Sequence, residues 1–248
     1  MKPASVVIVG AGVMGASVAY HLTARGWRDV LLVDRGVRPG QGSTGAATGG
    51  YRAQYATAIN VRLSLLAREK LRCFKDEVGA DPGYLTAVYM WLSTTKSELE
   101  HLRAWLLVQR SDGLGEATEV SADDVARINP ALRPDAAIGG TFCSTDGFIA
   151  PLGILNGYLA AASRRGVRVE WGSNATGLVR DSVGRIVSVE TTRGRIAADI
   201  VINAAGPWAA AVAEQAGVPL PVTPLRRQAA ATVPCTLLPP DMPMTIFA

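Results

Sequence analysis

Continuous apolar runs flank a helical segment at the start of the chain. Residues 6–9 (VVIV) are uniformly β-branched, which is typical of a strand buried on both faces of a parallel sheet. Residues 16–24 predict a helix that Gly26 ends. Residues 30–33 (VLLV) repeat the buried-strand pattern and stop at Asp34. The pattern therefore predicts a complete strand–helix–strand unit within the first 34 residues.

A long loop and an amphipathic helix are predicted next. Residues 36–51 (GVRPGQGSTGAATGGY) are rich in Gly, Ser and Thr, and a loop of this length is a candidate functional loop. Apolar residues then recur every three to four positions, which predicts a helix with one apolar stripe, ended by Gly79. The stripe comprises Leu63, Ala67, Leu71, Phe74 and Val78.

The middle of the chain has a different pattern. Apolar residues between positions 84 and 92 predict a strand, and residues 98–109 predict a helix. Residues 121–124 (SADD) resemble an N-cap with an acidic third position, which predicts a short helix ending near Asn129 and Pro130. This section therefore reads as a mixed α+β insertion.

The second half of the chain returns to a helix and then becomes β-rich. Residues 151–165 predict the helix, which Gly166 ends. Short turns separate four β-rich runs, and this spacing predicts an antiparallel meander of residues 167–171, 176–180, 186–192 and 195–201. Residues 201–206 (VINAAG) predict a further buried strand, followed by a helix to Gln215. Residues 223–233 predict one extended stretch.

Composition excludes several classes of protein. Hydrophobic residues make up 48% and charged residues 19%, as in ordinary globular chains. The net charge is only +4, and its arginines are scattered, so no nucleic-acid-binding patch is predicted. Cys73, Cys143 and Cys235 are far apart, which predicts neither a disulfide framework nor a metal site. The apolar N-terminal run is too glycine-rich for a signal peptide or a membrane span, so we expect a soluble cytoplasmic protein.

Residues 10–15 (GAGVMG) lie between the first strand and the first helix. Gly10 permits the tight turn, and Gly12 lets the backbone approach a pyrophosphate at the helix N-terminus. Gly15 permits close packing of the helix on the strand. Asp34 follows 19 residues later, where an acid accepts hydrogen bonds from an adenosine ribose and repels a 2′-phosphate. Together they predict a dinucleotide site; the alternative is a glycine turn in an ordinary α/β fold.

The order of elements favours FAD over NAD. An NAD domain would continue with regular strand–helix–strand units, whereas here a meander precedes the strand at residues 201–206. That strand ends in small residues, and residues 43–50 are small or hydrogen-bonding, so both segments suit close passage along a diphosphate or ribityl chain. The alternatives are close packing of a core strand and a flexible surface linker. An NAD-dependent dehydrogenase therefore stays open as a second enzyme class.

Segments along nearly the whole chain resemble FAD-dependent oxidoreductases of the D-amino-acid oxidase superfamily, in family order. The chain is most similar to the branch that contains sarcosine oxidase β-subunits, glycine oxidases and dye-linked proline dehydrogenase subunits. The segments that carry the resemblance are VVIVGAGVMGAS (6–17), LLVDRG (31–36), GSTGAATGGYRAQY (42–55), INVRLSLLAREKL (59–71), GGTFCSTDGFIAP (139–151), VINAAGPWA (201–209) and PLRRQ (224–228).

The resemblance implies an α/β fold with two domains. The first is an FAD-binding Rossmann-like domain, a parallel sheet with an antiparallel crossover meander, formed by residues 1–80 and 145–220. The second is a partial α+β substrate-binding domain with an antiparallel sheet, formed by residues 81–144 and 221–248.

The resemblance also implies a set of cofactor-binding residues. Gly10, Gly12 and Gly15 would face the pyrophosphate, and Asp34 with Arg35 would hold the adenosine. The remaining positions are Ser43, Thr44, Ala47, Thr48, Gly49 and Gly50 along the diphosphate and flavin ring, Ala175 at the adenine, and Ala205, Gly206 and Trp208 near the ribityl chain or pyrophosphate. Many relatives have Glu where this chain has Asp34, so its reach is shorter.

Arg52 would bind the carboxylate of the substrate. A guanidinium suits this task because it is always charged and can bind two oxygens at once. The alternative is a surface arginine with one salt bridge. Neither histidine lies in a flavin-attachment motif and Cys143 has none, so we expect non-covalent FAD. Cys73 and Cys235 are interpreted as packing residues.

The implied activity is oxidation of the C–N bond of a small amine or amino acid of the sarcosine, glycine or proline type. A hydride passes to the flavin, and water hydrolyses the resulting imine. No catalytic acid or base is identified, and the electrons leave to oxygen or to a partner protein. The alternative is a truncated or non-catalytic FAD-binding subunit of a heteromeric dehydrogenase.

The family pattern also bears on the end of the chain. Relatives continue beyond the position of residue 248 with more strands and a glycine-rich segment. Residues 223–233 would then form a sheet edge with open hydrogen-bonding groups. We therefore expect the isolated chain to oxidise amines poorly unless another chain completes it.

Overall fold

The computed structural model describes residues 2–133, 135–231, 233, 236, 238–239 and 242–248. By its internal contacts the chain forms two compact units. Unit 1 consists of Met1–Thr48, Val78–Asp81 and Pro151–Ala229, and unit 2 consists of Gly49–Glu77, Pro82–Ala150 and Ala230–Ala248. The domain boundaries expected from the sequence assign residues 49–77 to the first domain, whereas the contacts place them in unit 2.

The described strands and helices alternate along the chain. The strands are β1 (Ala4–Val9), β2 (Val30–Asp34), β3 (Gly50–Tyr51), β4 (Leu85–Thr86), β5 (Tyr89–Ser93), β6 (Ala117–Ser121), β7 (Gly139–Cys143), β8 (Gly147–Phe148), β9 (Arg168–Trp171), β10 (Ala175–Arg180), β11 (Ile186–Thr191), β12 (Gly194–Asn203) and β13 (Met244–Phe247). The helices are α1 (Val13–Ala24), α2 (Ala58–Arg72), α3 (Phe74–Val78), α4 (Lys96–Ser111), α5 (Ala122–Ile128), α6 (Pro151–Arg164) and α7 (Ala209–Gln215). A 3₁₀ turn, Gly206–Trp208, precedes α7.

Unit 1 is built on a sheet with the order β10-β11-β12-β1-β2-β9. Strands β12, β1, β2 and β9 are parallel, and β10 and β11 form an antiparallel meander with β12. The centre of the sheet is shielded from solvent, since Val7, Ile8, Leu31 and Leu32 are fully buried. The predicted fold class, a parallel sheet with an antiparallel crossover meander, is therefore confirmed.

Two predicted strands of unit 1 pair differently from the expectation. The strand after α6, β9, pairs in parallel with β2 and is not part of the meander. Residues 195–206 do not form two strands, since β12 runs unbroken from the meander into the parallel sheet. Residues 195–203 contain no Gly or Pro that would interrupt this run. The part near residue 201 is only half-buried and Ile200 is 40% exposed, so the expectation of a buried strand there is wrong.

Helices α1 and α6 pack on each other in unit 1. The rings of Tyr20 and Tyr158 meet at this contact, with centroids 5.4 Å apart. Both helices end at a glycine with φ of 90°, Gly26 and Gly166, as their sequences predict. Glycine adopts this left-handed backbone conformation without steric cost, so the chain can turn toward the next strand at each of these positions.

Unit 2 contains two small sheets. The larger has the order β13-β5-β7-β6, in which β5, β7 and β6 are antiparallel and β13 runs parallel to β5. The smaller has the order β3-β8-β4. The strand predicted around residues 84–92 is divided by Val88, whose φ of 58° breaks the extended backbone. Helices α4 and α5 begin with capping boxes at Thr95 and Ser121, the second of which the sequence predicts.

The single helix predicted up to Gly79 is divided into α2 and α3, and its apolar stripe is buried only in the second part. Phe74 and Val78 of α3 are buried as predicted. Leu63 and Ala67 of α2 are exposed, whereas Val61 and Arg68 on another face of that helix are buried. The reason is a polar anchor, because Arg68 Nη1 donates to Glu116 Oε1 at 2.9 Å and to Thr145 Oγ1 at 2.8 Å. A buried guanidinium must keep its acceptors, and this requirement turns its own face of the helix inward.

The stretch at residues 223–233 also differs from its prediction. In its described part, residues 223–231 and 233, no strand forms and every residue is exposed. Proline and a run of alanine give this segment no alternating apolar face, so it has nothing to pair with. The strand near the end of the described chain is β13 instead, next to β5. Among the described helices, none has the length and apolar character needed to cross a bilayer.

Helix α6 offers a direct test of the packing in unit 1. Leu155 is fully buried, whereas Leu152 on the same helix is 45% exposed. Leu155→Ala is expected to lower the free energy of unfolding by about 2–5 kcal/mol, because the cavity cannot close fully. Leu152→Ala should cost less than about 1 kcal/mol. Urea denaturation of both variants measures the difference, and equal values would contradict the assigned packing of α6.

Candidate functional site

A cavity of about 470 Å³ opens in unit 1 at the carboxyl ends of β1, β2 and β12. Ligands of open α/β sheets bind at this edge. Ten of the predicted cofactor-binding residues line the cavity: Gly10, Gly12, Asp34, Arg35, Ser43, Thr44, Ala175, Ala205, Gly206 and Trp208. They come from five separate stretches of the chain, which the sheet brings to one place.

The glycines of the first turn differ in what surrounds them. Gly10 has φ of 106°, and a Cβ there would lie 2.3 Å from the Ala204 carbonyl oxygen. A Cβ at Gly15 would lie 1.9 Å from the Gly10 carbonyl oxygen. Both glycines therefore serve backbone packing, and Gly15 does not line the cavity. Gly12 is different, since a Cβ there meets only Thr44 Oγ1, at 3.4 Å.

Asp34 holds the glycine turn in place. Its Oδ2 accepts a hydrogen bond from the Ala11 N–H at 2.7 Å, and its Oδ1 accepts one from the Gly36 N–H at 2.7 Å. Each carboxylate oxygen has a second lone pair, so hydrogen bonds from a ribose are still available to it. The residue thus fixes the loop that a nucleotide would contact, and its role toward the ribose stays a prediction.

The loop after β2 folds over the start of α1. The Thr44 hydroxyl accepts a hydrogen bond from the Val13 N–H, one of the unpaired donors at the helix N-terminus, at 3.1 Å. Gln41 Oε1 accepts from the Val37 and Arg38 N–H groups at 2.6 Å and 3.2 Å. These bonds tie the loop to the helix and to itself, which argues against the flexible-linker alternative for its first part.

Arg35 and Trp208 form a stacked pair at the cavity. The guanidinium carbon of Arg35 lies 3.5 Å from the centroid of the indole ring. This distance is well within the range of a cation–π interaction. Trp208 is nevertheless 43% exposed, so the pair forms a surface beside the small residues Ala205 and Gly206.

Two polar residues of the cavity have no place in the sequence prediction. Ser173 Oγ and Gln215 Oε1 are buried, line the cavity and have no hydrogen-bond partner in the described part of the chain. A buried polar atom without a partner costs about 1–3 kcal/mol, so these atoms favour a polar ligand. The cavity therefore fits the nucleotide half of FAD: it has unused polar groups, an open backbone at Gly12 and a helix N-terminus.

The remaining predicted site residues lie outside this cavity. Ala47 and Thr48 belong to unit 1 and are exposed but do not line it. Gly49, Gly50 and Arg52 belong to unit 2. Gly50 begins β3, and a Cβ there would lie 2.5 Å from the Tyr89 hydroxyl. Of the predicted flavin loop, Ser43 and Thr44 therefore line the cavity, Ala47 and Thr48 lie in unit 1 outside it, and Gly49 and Gly50 lie in unit 2.

Arg52 is half-buried and lies near two aromatic rings of unit 2. Its guanidinium carbon lies 5.0 Å from the ring centroids of both Tyr55 and Trp91. Its Nε is buried and has no acceptor among the described residues. None of the ion pairs found within the described ranges includes Arg52. This environment differs from that of a surface arginine with one salt bridge.

The Cys143 thiol is not a reactive thiolate. Burial, together with the nearby charge of Asp146, raises the pKa of the Cys143 thiol to about 11, so the thiol stays protonated at neutral pH. Cys73 is exposed at the end of α2, so its interpretation as a packing residue is wrong. Cys235 lies outside the described residues.

The comparison with protein families defines the class. The family described as FAD dependent oxidoreductase matches residues 5–247, nearly the whole chain, and the chain belongs to this family. The resemblance inferred from the sequence is therefore confirmed, with FAD as the cofactor of the family.

The chain is similar to two proteins named as a dehydrogenase and an oxidase of amino acids, and to one named as a regulatory subunit. The chain is 29% identical over 207 residues to the mitochondrial pyruvate dehydrogenase phosphatase regulatory subunit of Mus musculus, an alignment that covers 83% of this chain and 23% of that protein. It is 28% identical over 224 residues to mitochondrial sarcosine dehydrogenase of Homo sapiens, covering 88% of this chain and 24% of that one. The crystal structure of glycine oxidase from Geobacillus kaustophilus matches with a TM-score of 0.77 and 26% identity, covering 88% of this chain and 59% of that chain. The chain thus spans about a quarter of the length of these two curated relatives.

The open space at Gly12 generates a prediction. Gly12→Val is expected to abolish retention of FAD, because the side chain would project into the space where the pyrophosphate approaches. The fold should survive with a loss of about 1 kcal/mol from the poorer N-cap. The ratio of flavin to protein after gel filtration, together with thermal unfolding, measures both effects. Gly115→Val is the control, since nothing lies within 4 Å of a Cβ there. Normal flavin content in the Gly12 variant would contradict the assignment.

Proposed function

We propose that this protein is an FAD-dependent oxidoreductase that oxidises the C–N bond of a small amino acid or amine. The observation that carries the proposal is the nucleotide cavity of unit 1 in a chain that belongs to the FAD-dependent oxidoreductase family over residues 5–247. Relatives named for sarcosine and glycine support small amino acids as the substrate class. An NAD-dependent dehydrogenase is disfavoured by the same family match.

In this proposal unit 1 holds the cofactor without a covalent bond. The backbone at Gly12 and the start of α1 face the pyrophosphate, where the helix dipole and free N–H groups favour negative charge. Asp34 and Arg35 hold the adenosine, and the unpaired Ser173 hydroxyl supplies a further hydrogen bond. When bound, flavin supplies the acceptor for a hydride and so for two electrons.

Arg52 binds the substrate carboxylate in this proposal. A planar guanidinium offers two parallel N–H donors to the two carboxylate oxygens, and the rings of Tyr55 and Trp91 hold it in one orientation. The substrate amine loses a hydride from the carbon that bears nitrogen and a proton from the nitrogen to solvent, and becomes an imine. Water then adds to the imine carbon, and the C–N bond breaks to release a carbonyl compound and an amine or ammonia.

The compartment and the electron acceptor belong to the same proposal. The scattered cysteines favour a reducing compartment such as the cytoplasm. The electrons leave either to oxygen or to a partner protein, with which the chain would form a hetero-oligomer.

The assignment of Arg52 generates a prediction. Arg52→Lys keeps the charge but loses the paired donors, so the KM for an amino-acid substrate should rise about tenfold or more. The flavin content should not change, because Arg52 belongs to unit 2 and the cavity to unit 1. Arg62→Lys is the matched control, since Arg62 has an exposed side chain and forms an ion pair with Asp112 in the same unit. An unchanged KM for Arg52→Lys would argue against a carboxylate-binding role.

Direct tests of the function are a cofactor spectrum and a substrate screen. The purified chain should show the absorption of bound oxidised flavin. In line with the poor activity expected of the isolated chain, it should then reduce an artificial electron acceptor slowly, but measurably faster with sarcosine, glycine or proline than without substrate. A chain that binds no flavin, at any concentration supplied, would overturn the proposal.

A second candidate function is a non-catalytic FAD-binding subunit of a larger complex. One observation favours it, namely the similarity to a protein named as the regulatory subunit of a phosphatase. This candidate predicts a stable flavin spectrum without turnover of any of the three amino acids. Adding the artificial acceptor in excess separates the two candidates, because it removes any dependence on a natural electron partner.

A further inference from the structure

A buried carboxylate holds the backbone immediately after Arg52. Asp146 Oδ1 accepts a hydrogen bond from the Ala53 N–H at 2.9 Å, and its Oδ2 accepts one from the Gln54 N–H at 3.4 Å. The Gln54 side-chain Nε2 also donates to Oδ2, at 3.3 Å. The side chain comes from a position more than ninety residues away in the sequence and is fully buried. All of these residues belong to unit 2.

The Asp146 carboxylate accepts backbone hydrogen bonds where the ladder between β3 and β8 ends. Tyr51 of β3 pairs with Gly147 of β8, and the ladder goes no further. Arg52 is therefore the first residue beyond the paired strand. The next two N–H groups would have no strand partner, and the side chain of Asp146, which directly precedes β8, accepts both of them.

A carboxylate is the side chain that this geometry requires. It is acceptor-only and has two equivalent oxygens, so it can receive N–H groups from consecutive residues. An amide of the same size would turn its NH₂ group toward one of these donors. The arrangement is costly for folding alone, because a buried charge without a cation is poorly solvated. None of the described ion pairs includes Asp146, and burial raises the pKa of its carboxyl.

The side chain of Gln54 connects the Asp146 carboxylate to the strand that carries one of the two aromatic rings near Arg52. Gln54 Nε2 donates to the Tyr89 carbonyl oxygen at 3.2 Å as well as to Asp146. Tyr89 begins β5, the strand that also carries Trp91. Gln54 therefore links β5, the strand that carries Trp91, to the segment that bears Arg52. The rings restrain the guanidinium, and the hydrogen bonds restrain the backbone from which it extends.

We propose that Asp146 is a positioning residue for Arg52: its buried carboxylate fixes the backbone at Ala53 and Gln54 so that the guanidinium is held ready for a substrate carboxylate. The inference rests on the proposed function, in which Arg52 binds that carboxylate. No hydrogen bond within the described residues engages the guanidinium itself. A cation that lies near two rings and has no acceptor among the described residues is organised for an anion from outside the chain.

The test compares two ligands that differ by a carboxylate. Proline and pyrrolidine share a ring amine, and only proline offers the carboxylate. Their affinities for the full 248-residue chain are measured by ligand-observed NMR titration, which does not depend on turnover. The preference for proline over pyrrolidine reports the contribution of the carboxylate.

Asp146→Asn is expected to reduce the preference for proline about tenfold, because the hydrogen bonds to a charged acceptor are lost and Arg52 loses its orientation. Pyrrolidine binding should change less than twofold. Asp124→Asn is the matched control: Asp124 also accepts backbone and side-chain hydrogen bonds in unit 2, but at the start of α5. It should leave both affinities unchanged. Equal losses for the two ligands, or no loss for proline, would overturn the positioning role.

Two further variants keep the test decisive if Asp146→Asn folds poorly. Gln54→Leu removes only the hydrogen bonds of the Gln54 side chain and should lower the preference for proline by a smaller factor. In an Arg52→Lys background the paired donors that Asp146 would orient are already absent. Asp146→Asn or Gln54→Leu should therefore lower the preference for proline little further. Fully additive losses would overturn the inference. An absence of preference for proline in the unmodified chain would instead refute the assignment of Arg52 itself, and so the substrate part of the proposed function.

Discussion

The close approach of three backbone segments at Gly10 is the constraint on which unit 1 depends. The Gly10 carbonyl oxygen occupies the place of a Cβ at Gly15, and the Ala204 carbonyl oxygen occupies the place of a Cβ at Gly10. The ends of β1 and β12 and the first turns of α1 are therefore in backbone contact. This contact brings the N-terminus of α1 to the edge of the sheet, and the cavity lies there because no side chains separate these segments.

Each unit contains one buried or half-buried carboxylate that accepts two backbone N–H groups beyond a strand end. Asp34 ends β2 and accepts the N–H groups of Ala11 and Gly36. Asp146 precedes β8 and accepts those of Ala53 and Gln54. In both places a strand ladder stops and the chain turns into a segment with a proposed binding role. An acceptor-only side chain with two oxygens can hold such a turn without adding a strand. Loop geometry that a ligand needs is thereby set before any ligand arrives.

The parts of this architecture that could be predicted are those with local causes. Glycine spacing, buried β-branched runs and the cap at Ser121 act within a few residues, and they located β1, β2, α1 and α5. The failures have long-range causes. The parallel pairing of β9 with β2 depends on the whole sheet, and without it Ser173 could not be assigned to the edge where β2 ends. The buried face of α2 depends on acceptors for Arg68 that lie 48 and 77 residues away. The segment that bears Arg52 and the Asp146 carboxylate likewise come together through the pairing of β3 with β8.

The two candidate functions differ in what they require of Arg52. A cavity with a glycine turn and an open helix N-terminus serves a catalyst and a non-catalytic FAD-binding subunit equally, because both must hold the same nucleotide. A half-buried arginine whose Nε has no acceptor among the described residues is different, since its desolvation lowers stability unless an anion compensates for it. A subunit that never binds a substrate would gain nothing from that cost or from a second buried charge at Asp146. The environment of Arg52 therefore favours the catalyst, on grounds that are independent of the nucleotide cavity.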